Sequence, residues 1–207
     1  MNTDQPKKFN LSLYNDEFFR WHTVHGDYYG VATGLNVFNH YKPSSVADLG
    51  CGIGSYLWAA MQAKVPMIQG WEIATDDAKR YTRPELLPHI KHGFDITAPM
   101  DFGDQKYDIV FCVEVGEHIE PSGSEQLVDN VCRATGKLLL FTAAPPGQDG
   151  CGHINTHPLD YWRGLFARHE FVESSETPNV RLLLDPPHPA IHSPKWVMDN
   201  LLVMCPV

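Results

Sequence analysis

The ten residues from Val46 to Ser55 read Val-Ala-Asp-Leu-Gly-Cys-Gly-Ile-Gly-Ser, and they constrain the fold more than any other stretch of the chain. An apolar run closes on Asp48, glycine occupies positions 50, 52 and 54, and a helical pattern follows through Leu57, Ala60 and Met61. That order predicts a strand, a tight turn and a helix start. Glycine at alternate positions lets the backbone turn sharply and approach a ligand with no Cβ in the way, while the helix N-terminus adds unpaired N–H groups. A nucleotide-like ligand suits such a crevice. The dinucleotide fingerprint needs its third glycine one residue later, where this chain has Ser55.

The rest of the chain alternates strand-like and helix-like segments. Strands are predicted at Val46 to Leu49, Met67 to Glu72, Ile90 to Phe94, Tyr107 to Val115, Lys137 to Ala143, Phe171 to Ser175 and Asn200 to Cys205. The fourth of these is apolar on both faces, as a central buried strand would be. Helices are predicted from Ser55 to Ala63, from Thr75 to Tyr81, from a Ser122/Glu125 capping box through Leu127, Val128, Val131 and Cys132, and around Leu159, Trp162 and Phe166. Pro84 and Pro88 bound a loop, and the proline-rich stretch from Pro178 to Pro194, which carries His188 and His192, reads as an irregular excursion beside the site. This alternation predicts an α/β fold with a doubly wound, mostly parallel sheet whose ligands sit at the strands' carboxyl ends. Ahead of it, residues 9 to 41 hold a dense aromatic set from Phe9 to Tyr41. Tyr14, Phe18, Trp21 and His25 recur at helical steps. We read residues 1–42 as a helical cap belonging to the same domain as a core over 43–207, with most of its aromatics packed and Trp21, His22 and His25 available as an acceptor wall.

A chain of 207 residues fits one domain with a sizeable core. Its 43% hydrophobic and 20% charged residues are ordinary for a soluble globular protein, and no apolar run approaches the roughly 20 residues that span a bilayer. Met1 to Phe9 is polar, without the apolar core of a signal peptide, so a cytoplasmic protein is expected. The five cysteines are scattered and never form a Cys-x-x-Cys pair, which points to reduced, mostly packed thiols. A formal net charge of −9 with only 16 Lys and Arg disfavours nonspecific attraction to nucleic acid.

Glu72 lies 18 residues beyond Gly54, near the interval of about 20 at which nucleotide-binding βαβ folds place a carboxylate on a ribose diol. The glycine turn, Glu72, Asp95 and Glu114 would all reach the same sheet edge. Between strand 5 and the next helix lies a long loop, Ala144 to Pro158, of a kind often functional in compact domains.

Gly-x-Gly-x-Gly after Asp-Leu resembles motif I of the class I S-adenosylmethionine (SAM) dependent methyltransferases. The Glu114-Val-Gly-Glu117-His118 segment is similar to the Glu-x-x-Glu-His signature of the ubiquinone-biosynthesis O-methyltransferases. The Pro146-to-Asn155 loop, with Pro158, Tyr161 and Trp162, resembles a group of small bacterial and phage methyltransferases, mostly uncharacterised. The resemblance covers most of the chain from Asp48 onward. It implies a single-domain Rossmann-like sheet of order 3-2-1-4-5-7-6 with strand 7 antiparallel. It also implies that Asp48 and the turn of Gly50, Gly52 and Gly54 hold the methionine end of SAM, Glu72 the ribose, Asp95 and Ile96 the adenine, and that Glu114 lies near the sulfonium. The loop departs from its lookalikes at Asn155-Thr-His157, where they often carry Glu-Gln after Asn.

Methyl transfer is an in-line displacement on an activated sulfonium, so the protein mainly positions the two partners and removes a proton from the acceptor where needed. His118, His153 and His157 are the candidate bases, His157 being the less secure because of that departure. The offsets of three and four residues would bring Glu114, Glu117 and His118 together if the chain turns helically after strand 4. With His153 they would form a two-carboxylate, two-histidine site for Mg²⁺, Mn²⁺ or another divalent ion that lowers the pKa of the acceptor oxygen. The small-RNA 3′-terminal 2′-O-methyltransferases show a similar pattern. The expected activity is O-methylation of a small-molecule or sugar-type hydroxyl. N-methylation, methylation of an RNA 3′ end and a noncatalytic SAM-binding subunit stand as alternatives.

Overall fold

A computed structural model of the chain describes residues 10–185 and 194–207, so the expectations for Phe9, His188 and His192 lie outside the described residues. Seven strands form one sheet: β1 Ser45–Leu49, β2 Met67–Glu72, β3 Ile90–His92, β4 Tyr107–Cys112, β5 Thr135–Phe141, β6 Phe171–Glu173 and β7 Leu202–Pro206. The helices are α1 Asp16–His25, α2 Asp27–Tyr41, α3 Ser55–Gln62, α4 Asp76–Tyr81, α5 Ser124–Ala134, α6 Leu159–Arg168, α7 Thr177–Leu184 and α8 Lys195–Asp199. The strand order is β3-β2-β1-β4-β5-β7-β6, as the resemblance implies. The first five strands of the chain pair in parallel, and β7 runs antiparallel to both β5 and β6.

The order reverses between β1 and β4, and a doubly wound sheet opens its ligand crevice beyond the carboxyl ends of the strands at such a point. The glycine turn follows β1, Glu72 closes β2 and Glu114 stands two residues past β4. All three therefore arrive at one crevice.

Alternation along β4 shows how the two layers form. Ile109 and Phe111 join a core with Val37, Phe38, Leu57, Val180 and Leu184 from α2, α3 and α7. Val110 and Cys112 join a second core with Leu127, Val131, Trp162 and Phe166 from α5 and α6. α2 lies close on α3 because glycine replaces a side chain at the contact. A Cβ at Gly34 would come within 2.8 Å of the Ala59 Cβ. α1 starts at Asn15, whose side chain accepts from the Glu17 and Phe18 N–H groups, the ordinary N-cap bond. Phe19 then packs with Ile53, Ala74 and Ala78, and Tyr81 donates to Asp16 at 2.9 Å, so α1 is fastened to α4 beside the crevice mouth.

Several boundaries differ from the sequence reading for identifiable reasons. β4 ends at Cys112 rather than Val115, and Glu114 takes a left-handed backbone conformation, φ +56°, that cannot continue a pleat. The Ser122/Glu125 capping box does not form: a 3₁₀ turn at Pro121–Gly123 leads into α5, no side chain caps it, and Glu125 accepts from Arg168 at 2.8 Å instead. The stretch expected to be irregular from Pro178 begins as α7, with Pro178 in the first turn, where its missing N–H costs no hydrogen bond. Pro84–His89 forms a 3₁₀ helix rather than an open loop.

Gly34→Ala tests the α2–α3 contact. Alanine gains roughly 1 kcal/mol in helix propensity, but overpacking against a Cβ with no rotamer to escape into typically costs about 1–3 kcal/mol. Packing should win, and the variant should unfold at lower urea concentration. A higher midpoint would mean that the helices separate at no cost.

Candidate active site

The crevice is a cavity of about 1210 Å³. Its floor is the turn after β1. Gly50 and Cys51 both donate their N–H groups to the Trp71 carbonyl, at 2.9 and 3.1 Å, and Gly52 donates to the Glu72 carboxylate at 2.8 Å. Gly50 and Gly52 both have positive φ, and a Cβ at Gly50 would strike Val115 at 2.5 Å. A Cβ at Gly52 would meet no protein atom within 4 Å, so the space beside it belongs to the cavity. Gly54 does not line the cavity; it lets the turn approach Leu86 and Ile90, where a Cβ would come within 3.0 Å of both.

Each carboxylate oxygen of Glu72 takes one backbone N–H, Oε2 from Gly52 and Oε1 from Ala74 at 2.9 Å. A carboxylate oxygen has two lone-pair sites, so both retain capacity toward a diol. Asp95 is exposed at the cavity, with Oδ1 accepting from the Thr97 N–H and hydroxyl at 2.8 and 2.6 Å, and buried Ile96 lines the cavity beside it. The backbone after Asp95 is pinned by Asn130, which donates to the Ile96 and Ala98 carbonyls and accepts from the Met100 N–H. Glu114 lines the cavity opposite, its N–H bonded to the Thr142 hydroxyl at 2.8 Å and its Oε1 without a hydrogen-bond partner.

No helical turn groups Glu114, Glu117 and His118 as expected, although the Glu114 and Glu117 carboxyls still adjoin. The left-handed Glu114 turns the chain, a single turn closes from His118 N–H to the Val115 carbonyl at 3.0 Å, and Glu117 points inward with no exposure while Glu114 faces the cavity. His118 and His153 do meet, ring centroids 5.0 Å apart, and both line the cavity. Glu117, His118 and His153 each offer an atom within 4.8 Å of the others', a set that does not include Glu114. His157 is not brought to the cavity: its ring stacks on Tyr161 at 3.8 Å. Trp21, His22 and His25 of α1 line the mouth, with Trp21 packed against His25 at 5.0 Å.

Charge in the cavity is one-sided. Among the described residues its lining includes eight carboxylates, Glu17, Asp27, Asp48, Glu72, Asp95, Glu114, Glu120 and Asp149, and no Lys or Arg. Burial and the Glu72 charge push Asp48 up to about 8, and burial likewise raises Glu72 and Glu114. Burial, then the neighbouring Glu114, holds Glu117 well above the usual carboxylate range. His118 is lowered to about 4, chiefly by burial and then by His153, so its imidazole is neutral near pH 7.

No protein-family model matches the chain, and no curated protein matches it. Solved structures do. It superposes on the O-methyltransferase of the trans-AT PKS multienzyme of Brevibacillus brevis, in complex with S-adenosyl-L-homocysteine, with a TM-score of 0.60 at 17% identity over 97% of this chain and 80% of that one. The sugar N-methyltransferase KedS8 of a Streptoalloteichus species gives 0.65 at 14% identity, over 100% and 98%. An O-methyltransferase family protein of Burkholderia thailandensis gives 0.65 at 13% identity, over 99% of this chain, which spans 65% of that one. The chain has the class I methyltransferase fold. In that methyltransferase fold the residues that sequence reasoning missed are the pins: Thr142 under Glu114, Asn130 under Ile96, and Gly150, where a Cβ would lie 2.2 Å from the His153 ring. No helix among the described residues is long and apolar enough to cross a membrane.

Folded Asp48 holds its proton up to about pH 8, whereas an unfolded aspartate releases it near pH 4. The folded state binds the extra proton across that window, so stability falls as pH rises through it. Asp48→Asn should reduce this loss: its urea midpoint should change less than the parent's between about pH 5 and pH 8. An identical pH slope would contradict the assignment.

Proposed function

We propose that the chain is a SAM-dependent methyltransferase that methylates a hydroxyl of a small molecule or sugar, with His118 and His153 serving the removal of its proton. The observation that carries this reading is a cavity built on a glycine turn and lined by eight carboxylates with no Lys or Arg among the described residues. Asp27 is paired with Arg83 and four of the others are exposed, but Asp48 and Glu72 are buried, and buried carboxylates without a cation are costly. SAM carries two cationic centres, its ammonium and its sulfonium, against one carboxylate, so its net positive charge suits the lining.

The residues fit that donor. Gly52 leaves the space that close backbone approach needs, Glu72 keeps lone pairs for the ribose hydroxyls, and Oδ2 of Asp95 is left over from the Thr97 bonds for the adenine amine. Glu114 has an unpartnered oxygen beside the expected position of the sulfonium. When bound, the donor supplies an already activated methyl group; the protein's own task is to align the acceptor and receive its proton. The cavity exceeds the roughly 300–1,000 Å³ of ordinary small-ligand sites, which leaves room for an acceptor against Trp21, His22 and His25. That room, with the paired histidines, favours turnover over a noncatalytic SAM-binding role. An RNA 3′ end is disfavoured, because phosphates are held mainly by Lys and Arg, and the cavity lining offers none among the described residues.

Two experiments test this. Glu72→Ala should weaken SAM binding by at least about tenfold, or roughly 1.4 kcal/mol, in calorimetric titration; unchanged affinity would refute the ribose assignment. With methyl-labelled SAM and a mixture of small saccharides, polyols and RNA, label should enter the small polar fraction. His118→Ala and His153→Ala should each slow transfer by about 10²–10⁴-fold while SAM affinity holds. Full activity in both would remove the acceptor-side proposal, and label confined to RNA would overturn the choice of acceptor.

A further inference from the structure

Beneath the acceptor side of the cavity, Glu117 is fully buried; its carboxylate lies by the N–H groups of its own residue and of Ala144 and beside the Glu114 carboxyl, but neither oxygen has a hydrogen bond of good geometry. An unpartnered carboxylate in such a place is expensive unless a cation pairs with it. His118 and His153 each bring an imidazole nitrogen within 4.8 Å of it, and the Glu114 carboxyl adjoins it as well. His118 Nδ1 lies 3.3 Å from the Gly152 carbonyl oxygen, and His153 Nδ1 lies 3.0 Å from that of Gln148. A carbonyl only accepts, so Nδ1 carries the proton in both rings and the lone pair resides on Nε2. Metal-bound histidines are oriented by this kind of contact to a backbone carbonyl.

The scaffold around the three side chains is fastened from several directions. Ile154 and Asn155 both donate their N–H groups to the Glu117 carbonyl, at 2.9 and 3.0 Å, and the Asn155 side chain donates to the Gly116 carbonyl and the Ser124 hydroxyl, both at 2.9 Å. The loop that brings His153 is thus tied to the main chain of the residue whose carboxylate it faces. Gly150 accommodates the His153 ring where any larger residue would displace it.

We infer that Glu117, His118 and His153 bind one divalent transition-metal ion, of the Fe²⁺, Co²⁺ or Zn²⁺ class rather than Mg²⁺ or Ca²⁺. One carboxylate and two imidazoles suit the borderline transition ions, whereas Mg²⁺ and Ca²⁺ prefer all-oxygen sets. The assignment differs from the two-carboxylate set that residue spacing suggested, because Glu114 faces the cavity and lies outside the cluster. Three protein ligands leave coordination positions open, as at catalytic sites. The use of the ion rests on the methyltransferase reading: an acceptor hydroxyl bound there would be acidified, and the two histidines would serve its deprotonation as ligands. Binding of the ion does not depend on that reading.

The test is titration of the chelator-stripped full chain with Co²⁺, followed by visible absorption, with SAM binding measured separately on the same preparations. A ligand-field spectrum should saturate at one ion per chain, be displaced by Zn²⁺ and persist in excess Mg²⁺. Glu117→Gln, which preserves side-chain shape, and His153→Ala, at a half-buried loop position, should each weaken Co²⁺ binding by at least about tenfold while retaining SAM binding. No Co²⁺ bound by the parent, or binding that both variants leave unchanged, would overturn the inference and leave the methyltransferase reading standing. Failure of the parent to bind SAM would instead overturn that reading, whatever the cobalt result.

Discussion

Three hydrogen bonds tie the turn after β1 to the end of β2: Gly50 and Cys51 N–H to the Trp71 carbonyl, and Gly52 N–H to the Glu72 carboxylate. The rest of the site depends on them. They hold a glycine backbone open toward the cavity and fix the acid that closes β2, and both strands lie next to one another because of the parallel register that pairs Leu49 with Trp71. The same bonds place Glu72 against buried Asp48; burial raises both carboxyls, and the Glu72 charge raises Asp48 further. A cationic ligand relieves that arrangement, which is why the charge of the cavity argues for the ligand as strongly as its shape does.

On the other side of the switch point, the chain solves a different problem. β4 must stop before it carries Glu114 into the sheet, and the left-handed conformation at Glu114 does this, with Thr142 of the segment after β5 bonded to its N–H. The turn that follows buries Glu117 and presents His118, and the loop after β5 returns to supply His153. The sides proposed for donor and acceptor are therefore built from opposite sides of the β1–β4 boundary, and Trp21 and His25 of α1 line the mouth.

Much of this was legible in the sequence. The central strands were legible because parallel strands buried on both faces appear as continuous apolar runs, and the place of the glycine turn after β1 and of Glu72 at the end of β2 was legible because their spacing is local. What escaped were features decided by distant partners. Nothing around Glu114 announces a positive φ, so an unbroken helical turn was the natural expectation; the left-handed turn keeps the Glu114 carboxyl beside Glu117 but leaves it outside the cluster of Glu117, His118 and His153. Asn130, Thr142 and Asn155 act on backbone 34, 28 and 39 residues away, and an isolated polar residue carries no sign of such a role. His157, the less secure of the two loop histidines along the chain, precedes α6 by two residues and is drawn onto Tyr161. The helix after Thr177 was hidden by its proline, although Val180 and Leu184 stand at helical spacing.

The most direct test is a crystal structure of the protein grown with S-adenosyl-L-homocysteine. The account predicts one molecule in the cavity, its ribose hydroxyls on the Glu72 carboxylate, its adenine amine at Asp95 and its sulfur on the side of Glu114. A ligand bound away from the glycine turn, or a cavity that stays free of it at saturating concentration, would contradict the central claim.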